Sequence, residues 1–296
     1  MATKVRKVVD TNQLRDSDLR NYLARSTSNF AVLTDYTMME AYKGETFSNF
    51  FSSMEILIDF PDQVIALKNT GRVCGLSGRR AGLQRRLIDA GPTREFPTFC
   101  EDIKAAQAGD LARQAVILEH GQAANEHIDQ TLLQVSTGLL KKMEAMAQAT
   151  FSKDELRMLR GPAFRLDVTM ARKLLTSIFW TACNLLQYRP GRRWLPRDFA
   201  RFQNTFQLRF ALCMHTLILE WLATGGGTET KPSKVRNDMV DVVISAYATY
   251  FDGLLSKDAK AMVVYDHAMA ILSAVLVSPP PAIVEAWHDV VEDFDQ

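Results

Sequence analysis

The chain opens on two short β-prone runs, each followed by a segment with helical periodicity. The β-prone run Val5–Val9 precedes a segment in which Leu19 and Leu23 are one helical turn apart. A second run, Phe30–Leu33, precedes a helical pattern over Thr37–Phe51. Because parallel strands need a crossover between them, strands that alternate with helices favour a parallel sheet with helices on its faces. We therefore predict an α/β fold.

Most of the remaining sequence has the hydrophobic periodicity of helices. A further strand is indicated less clearly near residue 65, and from about residue 79 to 223 apolar residues recur every three or four positions. The clearest break follows at Gly225–Gly227. Two more helices are predicted beyond it, over Asn237–Tyr250 and Asp258–Leu272, with the short apolar pair Leu254 and Leu255 between them.

A length of 296 residues suggests two domains of ordinary size or one domain with a large insertion. We predict a parallel sheet with flanking helices, interrupted by a large and mostly α-helical insertion. Residues 1–62 and 233–296 are assigned to the two parts of the α/β domain, the second part including an acidic tail. Residues 63–232 are assigned to a helical insertion or cap.

Composition excludes several classes of protein. The formal net charge is +1, so the average charge indicates no partner. The apolar runs are much shorter than the roughly 20 residues of a membrane span, and residues 1–10 lack the apolar core of a secretory signal. The four cysteines are scattered and form no CxxC pair, which argues against a zinc ribbon or a disulfide framework. We expect a soluble cytoplasmic protein with no membrane partner.

Four carboxylates fall near predicted strand ends and helix starts. Asp10 ends the first strand, Glu40 is placed in the first turn of the helix after the second strand, Asp241 in the first turns of a later helix, and Asp258 just after the pair of leucines. At one rim of a parallel sheet these carboxylates would repel one another unless cations neutralised them. Mg²⁺ or Mn²⁺ suits such oxygen ligands. Taken singly, each acid is explained more simply as a helix cap or as a charge that offsets the helix dipole, so the metal site depends on their joint placement.

The ordered set of four motifs resembles the PIN-domain ribonucleases. Val8–Asn12 is similar to that family's opening strand, aspartate and small polar residue, and Thr37–Ala41 is similar to its second motif. Asp241–Ala246 and Leu254–Asp258 resemble the third and fourth motifs. The resemblance covers roughly residues 1–60 and 233–275, and the two hundred residues between Glu40 and Asp241 depart from the compact family pattern.

The resemblance implies metal-assisted hydrolysis of RNA phosphodiester bonds with Mg²⁺ or Mn²⁺ as cofactor. Its implied catalytic and metal-binding residues are Asp10, Glu40, Asp241 and Asp258. Asp238 lies one helical turn from Asp241 and competes for the third role. Asn12 and Ser256 are candidates to orient water or a carboxylate. Both fit a turn equally well, and for Ser256 the turn is the simpler explanation.

Charge is segregated in the helical middle. Residues 157–209 contain ten arginines and one lysine against two aspartates, and a second basic stretch without acids lies between Gln63 and Ile88. Arginine forms bidentate bonds with phosphate, and exposed aromatic rings can stack on unpaired bases. The spacing of Phe199, Phe202 and Phe206 is more typical of a core stripe. We predict an RNA-binding loop at Arg189, Arg192, Arg193, Trp194 and Arg197.

Three functions from different classes fit these patterns. The first is a metal-dependent ribonuclease, in a toxin or antiviral setting, for which a homo-oligomer or an inhibitory partner protein is left open. The alternative is a helical RNA- or protein-binding scaffold whose PIN-like half is inactive. The third is a ribonuclease of HEPN type built on Arg209 and His215, which we discount because Phe210 replaces the usual polar residue and because a core histidine is the simpler explanation.

Overall fold

The computed structural model describes residues 3–42, 47–128, 133–155, 168–187, 195–196, 198–224, 231–277 and 279–295. Within these ranges, helices flank one four-stranded sheet. None of the helices searched there combines the length and the apolar character needed to cross a bilayer.

The sheet is entirely parallel, as the alternating pattern predicted. Its strands are β1 (Val5–Val9), β2 (Asn29–Leu33), β3 (Val64–Ala66) and β4 (Leu254–Leu255), in the spatial order β3-β2-β1-β4. In the register, Val8 lies opposite both Val32 and Leu254. Because the strands are parallel, their carboxyl ends share one edge of the sheet, which is where such folds place their ligand sites.

Helices of the first part of the chain surround this sheet. They are α1 (Ser17–Arg25), α2 (Asp35–Ala41), α3 (Phe47–Asp59), α4 (Thr70–Cys74), α5 (Leu83–Leu87), α6 (Ala90–Gln107) and α7 (Leu111–Glu126). Short 3-10 turns follow β1 at Thr11–Gln13 and precede β3 at Pro61–Gln63.

The second part of the chain supplies longer helices and the last strand. They are α8 (Leu133–Thr150), α9 (Val168–Gln187), α10 (Phe199–Phe202), α11 (Phe206–Thr224), α12 (Pro232–Ala248), α13 (Ala259–Val277) and α14 (Pro281–Asp295). The strand β4 lies between α12 and α13, so the last segment of the chain returns to the sheet beside β1.

Two hydrophobic cores lie on opposite faces of the sheet, since successive strand residues point to opposite sides. Val9 belongs to the smaller core, with residues of α1, α3 and α6. Val8 belongs to the larger core, which combines helices α8 to α14 and includes the buried stripe of Phe199, Phe202 and Phe206. The expectation that these three rings are core residues is confirmed. The helical middle and the last segment therefore share one core. The strand β3 also lies inside the range 63–232 that was assigned to the helical insertion. The predicted domain boundaries stay a prediction.

Two predicted helix starts are wrong. Helix α2 begins at Asp35, because Thr34 is its N-cap and accepts a 3.0 Å hydrogen bond from the Thr37 amide. Glu40 consequently lies near the end of α2 and not in its first turn. Helix α12 begins at Pro232, since proline at the first helical position loses no hydrogen bond. Asp238 and Asp241 therefore lie in the second and third turns of α12.

Candidate functional site

Asp10 lies at the centre of a hydrogen-bonded network at the carboxyl end of β1. Its side chain is only 4% exposed. One carboxylate oxygen accepts from the Thr11 amide at 2.6 Å, and the other accepts from Asn12 Nδ2 and Ser256 Oγ, each at 2.6 Å. Burial raises the pKa of Asp10, and these hydrogen bonds oppose that rise. The donors fix the orientation of the carboxylate.

Asp258 is joined to Asp10 through a single hydroxyl group. The Asp258 amide donates to Ser256 Oγ at 3.0 Å, and the same hydroxyl donates to Asp10. The Asp258 carboxylate caps α13, because its Oδ1 accepts from the amides of Lys260 at 2.7 Å and Ala261 at 3.1 Å. Asp258 is therefore a helix cap and a neighbour of Asp10 at once.

Asn12 connects the turn after β1 to the segment after β4. Its Oδ1 accepts from the Lys257 amide at 3.0 Å, and its Nδ2 donates to Asp10. More than two hundred positions separate these segments in the sequence, yet one side chain spans them. Both of the residues predicted to orient a carboxylate, Asn12 and Ser256, thus contact Asp10.

Glu40 reaches the same edge from α2. Its Oε2 accepts a 3.0 Å hydrogen bond from Thr11 Oγ1. Helix α2 is held against β1 because the buried Thr37 hydroxyl donates to the Val9 carbonyl at 2.9 Å. The wrong prediction of the helix start does not remove Glu40 from the edge of the sheet.

Asp241 has the most perturbed carboxylate of the group. Its pKa is raised to about 8, first because burial penalises the charged form. The other causes are the negative charges of four carboxylates, those of Asp10, Asp258, Asp238 and Glu40. The negative charges of all four other acids singled out in the sequence therefore act on Asp241. We call these five residues the carboxylate cluster.

Asp238 forms an ion pair with a lysine of the neighbouring helix. It is 3% exposed, and its Oδ1 pairs with Lys260 Nζ from α13. Its Oδ2 is buried without a hydrogen-bond partner in the part of the chain that the structure describes. The neighbouring Lys257 pairs with Asp16 instead.

The chemistry of the donor set fits a hard cation. Asp238 is paired with Lys260, the negative charges of the other four acids raise the pKa of Asp241, and a buried oxygen of Asp238 has no donor from the described residues. A divalent cation would offset this repulsion through ligands of the kind that Mg²⁺ and Mn²⁺ prefer. Over the described ranges, no three acidic, histidine or cysteine side chains already form a metal-ready group. Asp10 and Asp258 are instead held by the hydrogen bonds described above.

Sequence reasoning missed two residues of the site. Thr11 lies inside the first motif and contacts both Asp10 and Glu40, a role that the motif does not indicate. Lys260 was overlooked, and its signal was present: it is a basic residue two positions after Asp258, at the start of the same helix. The predicted RNA-binding residues Arg189, Arg192, Arg193, Trp194 and Arg197 lie outside the described residues.

The HEPN-like pair has a structural explanation. His215 is buried and hydrogen-bonded through Nε2 to Thr181 Oγ1 at 3.0 Å, and burial lowers its pKa to about 3. Such an imidazole stays neutral at physiological pH and does not contact solvent. The prediction that His215 is a core histidine is confirmed.

Comparison of the chain with protein-family models, with curated proteins and with solved structures finds no match. By its architecture, the chain is a mixed α/β protein with a parallel sheet and flanking helices.

The ion pair between Asp238 and Lys260 yields a testable prediction. Replacing Lys260 with methionine leaves a buried carboxylate without its cation and should lower the free energy of unfolding by about 2–4 kcal/mol. The double variant Asp238→Asn/Lys260→Met should recover most of this loss, because neither position then carries a charge that lacks its partner. Urea unfolding in the absence of divalent cations measures both effects.

Lys257→Met is the matched control for that experiment. The Lys257 side chain is about half exposed in its pair with Asp16, so its loss should change stability much less. Equal stability of the Lys260→Met variant and the wild type would show that the pair with Asp238 does not hold α12 against α13.

Proposed function

We propose that the chain is a metal-dependent ribonuclease of PIN type that hydrolyses RNA phosphodiester bonds. One observation carries the proposal: hydrogen bonds through Ser256 and Thr11 join Asp10 to Asp258 and to Glu40 at the carboxyl end of β1, and the negative charges of these acids and of Asp238 raise the pKa of Asp241. Acids from β1, α2, α12 and the start of α13 are thereby brought to one edge of a parallel sheet. The order of the four motifs along the chain supports the same assignment.

The proposed ligands of Mg²⁺ or Mn²⁺ are Asp10, Glu40, Asp241 and Asp258, with Asp238 beside them. When bound, the cation supplies an activated water and stabilises the charge on the departing oxygen. The residues around the ligands orient them. Ser256 and Asn12 hold the Asp10 carboxylate by two 2.6 Å hydrogen bonds, and Thr11 holds Glu40.

RNA is the proposed substrate because of the charge distribution along the sequence. The excess of arginine over residues 157–209 favours binding of a phosphate backbone. The setting that we propose is the cytoplasm, where the enzyme would act as a toxin or antiviral effector. An inhibitory partner protein would be one way to restrain such an activity.

The direct test is cleavage of end-labelled single-stranded RNA by the full chain in Mn²⁺ or Mg²⁺. We expect cleavage that stops when EDTA is added and returns when excess cation is restored. Cleavage that continues in EDTA would contradict the proposal. RNA binding without cleavage in either cation would favour the alternative, a helical RNA-binding scaffold.

The predicted RNA-binding loop has its own test through salt dependence. Replacing Arg189, Arg192 and Arg193 with alanine should make the slope of log Kd against log salt shallower by about two units, since each phosphate contact on a single strand contributes about 0.7. Fluorescence anisotropy with two unrelated RNA sequences should give the same change, because phosphate contacts do not read bases. An unchanged slope would assign these arginines to a protein contact instead.

A further inference from the structure

A cavity of about 960 Å³ lies beside the amino-terminal half of β1, away from the carboxylate cluster. Its walls are formed by residues of four parts of the chain. They are Arg6 of β1, residues 80–88 in and around α5, residues 200–209 up to the start of α11, and Tyr250. Four arginines line it, and no acidic residue is among the described residues of its lining. The volume falls in the range of small-molecule sites, about 300–1,000 Å³.

The buried side of the cavity is formed by Arg209. This guanidinium is 5% exposed, donates to the Thr249 carbonyl and hydroxyl and to Asn204 Oδ1, and lies 3.9 Å from the centre of the Tyr250 ring. In the described part of the chain, the titratable groups that act on its charge are Tyr250 and Cys213 and include no carboxylate, and its Nε has no hydrogen-bond partner. Arginine stays protonated in proteins, so an uncompensated positive charge lies at this end of the cavity.

A second buried donor and two exposed arginines complete the lining. Arg6 donates through Nη1 to Gln84 Oε1 at 2.9 Å, whereas its buried Nε has no partner among the described residues. Arg80 and Arg85 are exposed at the open side. Gln84 is held in turn by donating to the Tyr250 carbonyl at 2.6 Å. The guanidinium groups of Arg6 and Arg209 are thus fixed by neutral partners and keep their charge for a ligand.

We propose that this cavity binds a phosphorylated small molecule that carries an oligophosphate group. Four guanidinium groups match the charge of a triphosphate, and the planar fork of arginine suits phosphate oxygens better than a lysine would. A cavity of this size holds a nucleotide as well as an inorganic oligophosphate. The buried position of Arg209 favours a small ligand that enters the cavity over an extended RNA backbone.

This site is separate from the proposed catalytic edge. Arg6 and Asp10 lie at opposite ends of β1, four residues apart, which is about 13 Å along an extended strand. Ligand binding at Arg6 and catalysis at Asp10 can therefore be measured independently. The inference stands whether or not the chain is a ribonuclease.

Calorimetric titration of the full chain with inorganic triphosphate, ATP and adenosine tests the proposal. EDTA is present throughout, so that no cation can hold a phosphate at the carboxylate cluster. We expect saturable binding of triphosphate or ATP with one site per chain, no binding of adenosine, and a higher Tm in the presence of the ligand. Tighter binding of ATP than of triphosphate would identify a nucleotide as the ligand, and equal binding would identify the oligophosphate group itself.

Two variants distinguish binding at this cavity from nonspecific binding to the protein surface. Arg80→Ala/Arg85→Ala changes only exposed residues and should weaken binding about tenfold or more. Arg209→Lys keeps the charge but loses the fork, and should weaken binding by a similar factor if the variant folds. The matched control is Arg94→Ala, an exposed arginine on α6 outside the cavity lining, which should bind as the wild type does. Asp10→Asn should also bind normally.

Several results would overturn the proposal. They are no saturable binding of triphosphate or ATP, equal binding of the tricarboxylate citrate, equal affinity in the Arg80→Ala/Arg85→Ala variant, and loss of binding in Asp10→Asn. RNA binding that depends on Arg80 and Arg85 without any triphosphate binding would also overturn it, because it would assign the cavity to the RNA backbone.

Discussion

Replacing Asp10 with asparagine should lower the rate of Mn²⁺-dependent RNA cleavage by more than about a hundredfold, since even residues that only orient a metal ligand contribute 10–100-fold. Asparagine keeps the size of the side chain and an acceptor oxygen for the Thr11 amide. It removes the negative charge at the centre of the carboxylate cluster. Single-turnover cleavage of a short labelled RNA at saturating enzyme measures the effect on the chemical step.

Asp252→Asn is the matched control for that experiment. Asp252 is exposed, and its carboxylate accepts a 2.8 Å hydrogen bond from the Arg6 amide. Among the described residues, that carboxylate has no other hydrogen-bond donor. Its replacement should leave cleavage unchanged. Equal cleavage by the Asp10→Asn variant and the wild type, with urea unfolding unchanged in both, would contradict a catalytic role for the carboxylate cluster.

The second large effect concerns Asp241 and pH. Its pKa in the folded chain, about 8, is above the ordinary value of 3.8, so the folded chain binds more protons than the unfolded chain between these values. The free energy of unfolding should therefore fall as pH rises from about 4 to about 8. Asp241→Asn removes this loss and should stabilise the cation-free protein by on the order of 3 kcal/mol at pH 8 and above, with much less effect near pH 4.

Urea unfolding in EDTA at pH 5 and pH 8.5, on the wild type and Asp241→Asn, measures this prediction. Adding Mn²⁺ at pH 8.5 should raise the stability of the wild type and should raise that of Asp241→Asn less, because a bound cation compensates the same charge. A variant that is no more stable than the wild type at pH 8.5 would show that Asp241 is not crowded by negative charge.

The parallel sheet and the position of Asp10 could be predicted from local sequence. The run Val5–Val9 ends in Val8 and Val9, which are buried in the two cores on opposite faces of the sheet, and an acid that follows such a strand falls at the ligand-binding edge. Asp258 was predictable for a similar reason, since it lies three residues after the short apolar pair Leu254 and Leu255.

The helix starts could not be read as reliably from local patterns. Thr34 and Thr37 are both good N-cap residues, and the choice between them depends on the contact of the Thr37 hydroxyl with the Val9 carbonyl. The polar segment after Gly225–Gly227 hides the first turns of α12, because its apolar stripe begins only at Val235.

Contacts between segments that are distant in sequence could not be predicted from local sequence patterns. The pair between Asp238 and Lys260 joins two helices, and the cavity depends on Arg6, Gln84 and Arg209 meeting from three separate segments. Each of these residues looks like an ordinary polar position in its own segment. Their roles follow from tertiary packing, which places a basic cavity and an acidic edge at opposite ends of β1.

The most direct test of the central claim is an anomalous-difference map from crystals of the full chain grown with MnCl₂ near pH 8. We expect a manganese peak at the carboxyl end of β1, within coordination distance of carboxylate oxygens of Asp10, Asp241 and Asp258. A map with no peak there, at a Mn²⁺ concentration that supports RNA cleavage, would contradict the assignment of this carboxylate cluster as the catalytic metal site.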